Sequence, residues 1–547
     1  MNTQQSEHQM LDVIIIGAGF SGLYQLFCLR EKLGLTAKIL EAGSGVGGTW
    51  YWNRYPGARC DSESQVYCYT FSKELTEEWN WSERYPGTAE IVDYLNHVAD
   101  RFDLRRNIEF DSRVVAARFN EQGNFWEIDE ASGRHYRARF LITAVGCLSS
   151  ANIPDIEGLS DFEGEYYHTG QWPHEGVKFE GKCVGQIGTG STGIQSAPVI
   201  AMTAQRLTVF QRTANFSVPA RNHILSDGHR HEHKRDASAV RQLTRSNGNG
   251  HNWLINGQRA LETSAEERTA IYEKAWQTGG LRFRASFSDL LSCKEANNTA
   301  ADFIKNKIRQ CVKNPDTAKA LADIDHPFAA KRPPIDTHYF EIYNRDNVEL
   351  VDLRKTPILR FTKNGIVCQN SEARGQESEK HHNLDVVVFA TGYDAITGSL
   401  LRMDIRGRQN LKLSDAWSNG PRNHLGVQVA GFPNMFTITG PGSPSVLTNM
   451  PAAIEQHVEW ISDCIDYLYR NNHTTIESPE SSVDTWVSEV NAAADKTLLP
   501  TVKHSWYLGA NIPGKPRLFM PYAGGLDRYR DICEQVAIDN YSGFVIR

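Results

Sequence analysis

One unit, a short apolar run leading through a glycine turn into a helical pattern, occurs twice in this chain and limits what it can fold into. Residues 11–16 precede Gly17-Ala18-Gly19-Phe20-Ser21-Gly22, after which a helical pattern runs through Leu33. Residues 182–187 lead into Gly188-Thr189-Gly190-Ser191-Thr192-Gly193, followed by helix-compatible sequence to about Ala204. A second strand-like run follows each unit, at 37–40 and at 206–210. Glycines in such a turn let the backbone approach a pyrophosphate, and the helix that follows offers free N–H groups and a positive dipole end. One G-x-G-x-x-G match is weak evidence, but two in strand–turn–helix context predict an α/β chain with two Rossmann-like dinucleotide-binding domains. Glycines that serve only tight turns remain the structural alternative.

The ends of the second strands separate the two units. Glu41 lies 24 residues after Gly17, where a carboxylate can accept hydrogen bonds from ribose hydroxyls. Arg212 lies 24 residues after Gly188, at the equivalent place. An acid there repels a 2′-phosphate and a guanidinium pairs with it, so the first unit suits FAD and the second NADP(H). Two dinucleotides imply hydride transfer from the nicotinamide to the flavin. The 10 cysteines include no C-x-x-C pair, so a disulfide reductase is not expected, and the electrons go to dioxygen or an external acceptor.

Further strand-like runs lie at 140–145, 386–389 and 435–439. Residues 222–330 turn polar and helix-compatible, which reads as an inserted helical subdomain. The expected organisation is an FAD domain of 1–148 and 386–547, an NADP domain of 149–221 and 331–385, and the insertion between. A long helix is expected over 445–469, with Val446, Met450, Ile454, Val458, Ile461 and Ile465 forming its apolar stripe. His229, His231 and His233 alternate within charged residues and read as a solvated loop, with no metal site expected. Residues 371–383 read as an exposed connection.

With 547 residues, 40% of them hydrophobic, the chain can bury a sizeable core. Its net charge of −7 argues against nucleic-acid binding through bulk charge. No apolar run approaches a membrane span, the first ten residues lack a signal-peptide layout, and the scattered cysteines suit a reducing compartment. A cytoplasmic enzyme with no membrane contact and no obligate protein partner is expected.

Phe162, Gly164, His168, Trp172 and Pro173 fit the F-x-G-x-x-x-H-x-x-x-W-[P/D] signature of type I Baeyer–Villiger monooxygenases without a mismatch. Gly47-Gly48-Thr49-Trp50, Tyr55-Pro56-Gly57 and Asp61 fit a second pattern of that family. Ala390-Thr391-Gly392-Tyr393-Asp394 and the stretch from Trp506 to Gly514 are similar to its linker strand and C-terminal region. The resemblance covers essentially the whole chain and leans toward the phenylacetone and steroid branch.

The resemblance implies that reduced flavin adds O2 at its C4a carbon and that the peroxide, kept anionic, inserts one oxygen beside a ketone carbonyl. The product is an ester or lactone, with sulfoxidation as a side activity. It assigns Arg332 to the peroxide, Asp61 to holding Arg332 and contacting FAD, and Lys331 to the NADP phosphate. Gly17, Gly19, Ser21, Gly22, Glu41, Gly48, Thr49, Trp50, Tyr67, Val114 and Met450 are the other implied FAD contacts. Arg59, Gly188, Thr189, Gly190, Ser191, Thr192, Gly193, Gln195, Arg212, Thr213 and Trp506 are those for NADP. Leu148, Val446, Leu447 and Met450 are the implied substrate walls.

On the residues alone, Lys331-Arg332 is equally a solvated basic turn, Asp61 a helix cap, Trp506 a core side chain, and His168 either an acid–base group or a structural link. Two other functions compete: a flavin-containing or N-hydroxylating monooxygenase acting on amines or sulfides, and a non-catalytic NADP-sensing interaction protein.

Overall fold

Val13, Ile14 and Ile15 have no exposed surface, the mark of a parallel strand covered on both faces. In a computed structural model, which describes residues 10–370 and 378–547, they lie in the strand Met10–Ile16 at the centre of an eight-stranded sheet. That strand pairs in parallel with Ala37–Leu40 on one side and His135–Thr143 on the other. The first part of His135–Thr143 carries an antiparallel meander with Phe125–Glu130 and Val114–Asn120, and its last part takes Met435–Thr437 in parallel. Sequence far along the chain thus completes the first unit.

The second sheet is all parallel, in the order Val348–Asp352, Arg206–Gln211, Cys183–Ile187, Val386–Phe389, Glu165–His168. Val386–Phe389 therefore belongs to the second sheet, whereas the sequence reading assigned everything from 386 onward to the first domain. The chain returns to the first unit after Phe389. In both sheets the glycine turn follows the carboxyl end of the central strand, where α/β sheets bind ligands.

Two other expectations change. Residues 378–383 form the strand Ser378–Asn383, which pairs with Gly365–Asn370; residues 371–377 of the expected exposed connection lie outside the described residues. The histidine-rich segment is helical, within Asp227–Arg245, because Ser226 caps it by accepting the His229 N–H at 3.2 Å. Helical geometry turns His231 away from the face shared by His229 and His233, so the three side chains do not converge. Three further helices, Ala265–Thr278, Lys294–Cys311 and Pro315–Ala322, complete the segment read as a helical insertion.

The expected helix from residue 445 starts later, at Met450. Ser445 has φ +31° and lies in a separate short turn, Ser445–Leu447. The stripe Ile454, Val458, Ile461 and Ile465 is buried as expected, while Val446 is buried in that preceding turn. The helix Met450–Arg470 packs on Phe20–Phe27, where Gln25 Nε2 donates to Ser462 Oγ at 2.9 Å.

Two glycines separate packing from binding. A Cβ on Gly22 would come within 1.9 Å of the Gly17 carbonyl oxygen, whereas one on Gly190 meets nothing within 4 Å. Gly22→Ala should lower stability by about 1–3 kcal/mol, seen as a lower denaturation midpoint. Gly190→Ala should keep the wild-type midpoint and weaken NADP(H) binding in a titration.

Candidate active site

The first glycine turn is braced by the second motif. Gly47 N–H donates to the Ala18 carbonyl at 3.0 Å, and Gly48 Cα lies 3.3 Å from where a Gly19 Cβ would stand. Ser21 and Gly22 open the helix Phe20–Phe27, and Thr49 and Trp50 form a short turn of helix, Thr49–Trp52. Trp50 Nε1 donates to the Tyr67 hydroxyl at 3.0 Å. Glu41 is buried, and its carboxylate accepts the Ala18 N–H at 2.6 Å and the Gly43 N–H at 2.7 Å. Burial raises its pKa, and those backbone donors and Arg113 oppose the rise. Residues leading into Val114 run beside it, with Ser112 N–H on the Glu41 carbonyl at 2.7 Å.

In the second unit Thr189 Oγ1 donates to the Thr213 carbonyl at 2.8 Å, and Thr169 Oγ1 to Thr192 Oγ1 at 3.1 Å. Burial lowers the pKa of Lys331, Asp325 opposes this and nearby Arg212 lowers it further, so two cations share this end of the cleft. Gln195 ties the units together, accepting from Tyr55 OH at 2.7 Å and donating to the Arg59 carbonyl at 3.2 Å. The Arg59 guanidinium is directed elsewhere, to Glu83 at 2.9 Å and the Tyr85 carbonyl at 2.7 Å.

His168 fastens the end of Glu165–His168 to the segment that leaves the neighbouring strand Val386–Phe389. Its Nδ1 accepts the Gly170 N–H at 3.0 Å, which leaves Nε2 to donate to the Gly392 carbonyl at 3.0 Å. Burial holds its pKa down at about 4, so it is a neutral, fully bonded ring at neutral pH. Trp172 is buried against Tyr167 and Phe179, Phe162 packs on Phe361, and Pro173 follows directly on Trp172. Gly164 lies against the Asp385 carbonyl, 2.5 Å from where a Cβ would stand.

At the centre, Arg332 and Asp61 form a two-point ion pair, Nε to Oδ2 at 2.5 Å and Nη2 to Oδ1 at 2.9 Å. Arg332 Nη1 also donates to the Val446 and Thr448 carbonyls, at 2.9 and 3.2 Å. Burial alone would depress the Arg332 pKa, but the Asp61 charge outweighs it and holds the group above its ordinary value. Leu148, Val446, Leu447, Met450 and Trp506 share one apolar cluster next to this pair. The arrangement is a fixed cation beside an apolar wall, suited to steadying negative charge that develops on oxygen.

A family model described as flavin-binding monooxygenase-like matches residues 11–230. A Baeyer–Villiger monooxygenase of Pseudooceanicola batsensis is 42% identical, with 98% of this chain and 96% of that protein aligned. A cyclohexanone 1,2-monooxygenase of Acinetobacter is 41% identical over 99% and 98% of the two chains. The solved structure of an oxidized steroid monooxygenase bound to NADP superposes with a TM-score of 0.92 at 49% identity, covering 98% of this chain and 99% of that one. The chain belongs to the Baeyer–Villiger monooxygenases.

It is thus an FAD- and NADPH-dependent monooxygenase, and the non-catalytic alternative falls away. The residues present fit both cofactors. Each glycine turn opens a helix, Gly190 leaves room for a phosphate, and Arg212 with Lys331 offers two cations to a 2′-phosphate. Among the described residues no helix is long and apolar enough to cross a membrane.

The sequence reading missed two residues of this Baeyer–Villiger site. Arg284 reaches the Leu447 carbonyl at 3.5 Å, and Tyr507 lies close enough to Arg332 and Arg284 for both cations to oppose the rise in its pKa that burial causes. Arg284 sits in polar, helix-compatible sequence, and its alternation with the buried Leu281, Phe283 and Ala285 reads as a solvent-facing position, so the sequence carries no signal for its place beside the pair.

Arg212→Ala should raise the KM for NADPH by about 10- to 100-fold and leave that for NADH within about twofold, as measured by initial rates of NAD(P)H oxidation.

Proposed function

We propose that this monooxygenase converts an aryl or otherwise bulky ketone to its ester or lactone, with Arg332 as the catalytic cation and Asp61 as its positioning residue. The observation that carries the proposal is the two-point Asp61–Arg332 pair set against three further acceptors. Nε, Nη1 and Nη2 are all engaged, by Asp61, the Val446 and Thr448 carbonyls, and Ser62 Oγ at 3.5 Å. The guanidinium is thereby fixed in place before substrate arrives, which is what makes a charge effective in a site that excludes water.

When bound, FAD accepts hydride from NADPH and activates dioxygen. Arg332 holds positive charge where the reacting oxygen and then the ketone oxygen gain negative charge, and it stays protonated throughout because Asp61 favours its charged form. Asp61 restrains the guanidinium plane and moderates its net charge. Lys331 and Arg212 retain the nicotinamide dinucleotide through its 2′-phosphate. Leu148, Val446, Leu447, Met450 and Trp506 exclude water and seat the ketone's apolar body. The partners in this reading are a small ketone and O2. The compartment is the cytoplasm, consistent with ten free thiols.

Losing one preorganised charge of this kind costs about 3 kcal/mol of barrier, roughly a hundredfold in rate. Arg332→Ala should still be reduced by NADPH at a rate near wild type but form at least about 100-fold less ester, its NADPH oxidation yielding hydrogen peroxide. Product mass measured beside peroxide release tests this, and ordinary ester yield from the variant would remove Arg332 from the chemistry.

A further inference from the structure

Arg284 lies in the short turn Leu281–Ala285, and its Nη2 donates to the Leu447 carbonyl at 3.5 Å. Arg332 donates to the carbonyls on either side, Val446 at 2.9 Å and Thr448 at 3.2 Å. Three successive carbonyls of one turn therefore face two guanidiniums, and Leu447 itself belongs to the apolar wall beside them.

The two arginines differ in their partners. Arg332 has Asp61. Arg282, two residues before Arg284, has Glu63 at 2.9 Å. Among the described residues no carboxylate comes within ion-pair distance of Arg284, and its hydrogen bond to the Leu447 carbonyl is long. Arg284 is half-buried, and a guanidinium partly withdrawn from water without a counter-charge bears a desolvation cost that an anion brought in by a ligand relieves. Burial, reinforced by Arg332, pushes the Arg284 pKa down to about 10, with Tyr507 and Asp61 opposing from a distance. The cofactor phosphates have other places to go: the two glycine turns and the Arg212–Lys331 pair. The remaining candidate for the missing charge is the substrate.

Resting on the ketone-oxygenation reading above, we propose that Arg284 is a specificity-determining residue that pairs with a carboxylate on the substrate, making keto acids the preferred class. A carboxylate matches the planar fork of a guanidinium with two parallel hydrogen bonds, which a neutral ester cannot do. One arginine then anchors the substrate by its acid group while its neighbour serves the carbonyl end.

The test uses the holoenzyme with matched pairs that differ only in charge: para-acetylbenzoate and its methyl ester, and a cyclic ketone carrying a ring carboxylate with its methyl ester. Products are identified by mass, and kcat/KM is measured for each compound. The wild type should favour the acids over the esters by at least about 10-fold. Arg284→Leu should cut that preference by about 10-fold or more, to parity, and Arg284→Lys should restore part of it by returning a charge without the planar fork. A wild-type preference left intact in Arg284→Leu overturns the assignment. Should that variant not fold, the wild type still decides, since equal use of acid and ester overturns the assignment without any variant. Esters oxidised as well as acids would leave the ketone reading standing and remove Arg284 alone, whereas no oxygenated product from any of the four compounds would remove both.

Discussion

The bidentate pair between Asp61 and Arg332 draws together three stretches of chain that share no secondary-structure element. Asp61 follows the tight turn at Tyr55-Pro56-Gly57, Arg332 precedes the strand Ile335–Asp336, and the carbonyls that hold the other edge of the guanidinium come from the turn before the helix Met450–Arg470. A half-buried ion pair of this kind is a weak source of stability, because desolvation offsets much of the attraction. Its value here is positional. Each side of the cleft supplies part of one charged group's surroundings, so the cation is defined only when the whole chain is folded.

The two glycine turns fit around that centre for an equally simple reason. Each sits past the carboxyl end of a buried parallel strand and opens a helix, so the two dinucleotides are led toward the same cleft from opposite sheets. Gln195 on the second unit's helix grips Tyr55 and the Arg59 carbonyl of the first, a few residues from Asp61. His168, held neutral between Gly170 and Gly392, fastens the segment entering the second sheet to the segment leaving it. The hydrogen bonds of Gln195 thus act beside an apolar cluster in which Tyr55, Ala58 and Tyr85 of the first unit pack with residues of the second.

Much of this was legible in the sequence because glycine spacing and apolar runs are local signals. The strands at 37–40 and 386–389 fall where the runs predict, and both glycine turns occupy strand–turn–helix units. Local signals also set the limits. Val386–Phe389 is visibly a strand, but which sheet it joins depends on pairing with Cys183–Ile187 and Glu165–His168, and no run of residues announces that. Ser378–Asn383 has no apolar alternation and is a strand through its partner Gly365–Asn370. The histidine-rich helix shows Ser226 as a cap only in retrospect, since its polar faces hide the period. Arg284 is the deepest omission. Its meaning comes from a carbonyl 163 residues away and from the carboxylate that its neighbours have and it lacks.

The claim that Asp61 acts only through Arg332 is tested most directly by a double-mutant cycle. Ester formation is followed in Asp61→Asn, Arg332→Lys and the double variant, with flavin reduction by NADPH as the internal control. Residues that work as one unit give strongly non-additive losses, so the double variant should form ester no more slowly than the worse single variant. Losses that multiply would mean that the two side chains contribute independently, and the account of a single positioned cation would be wrong.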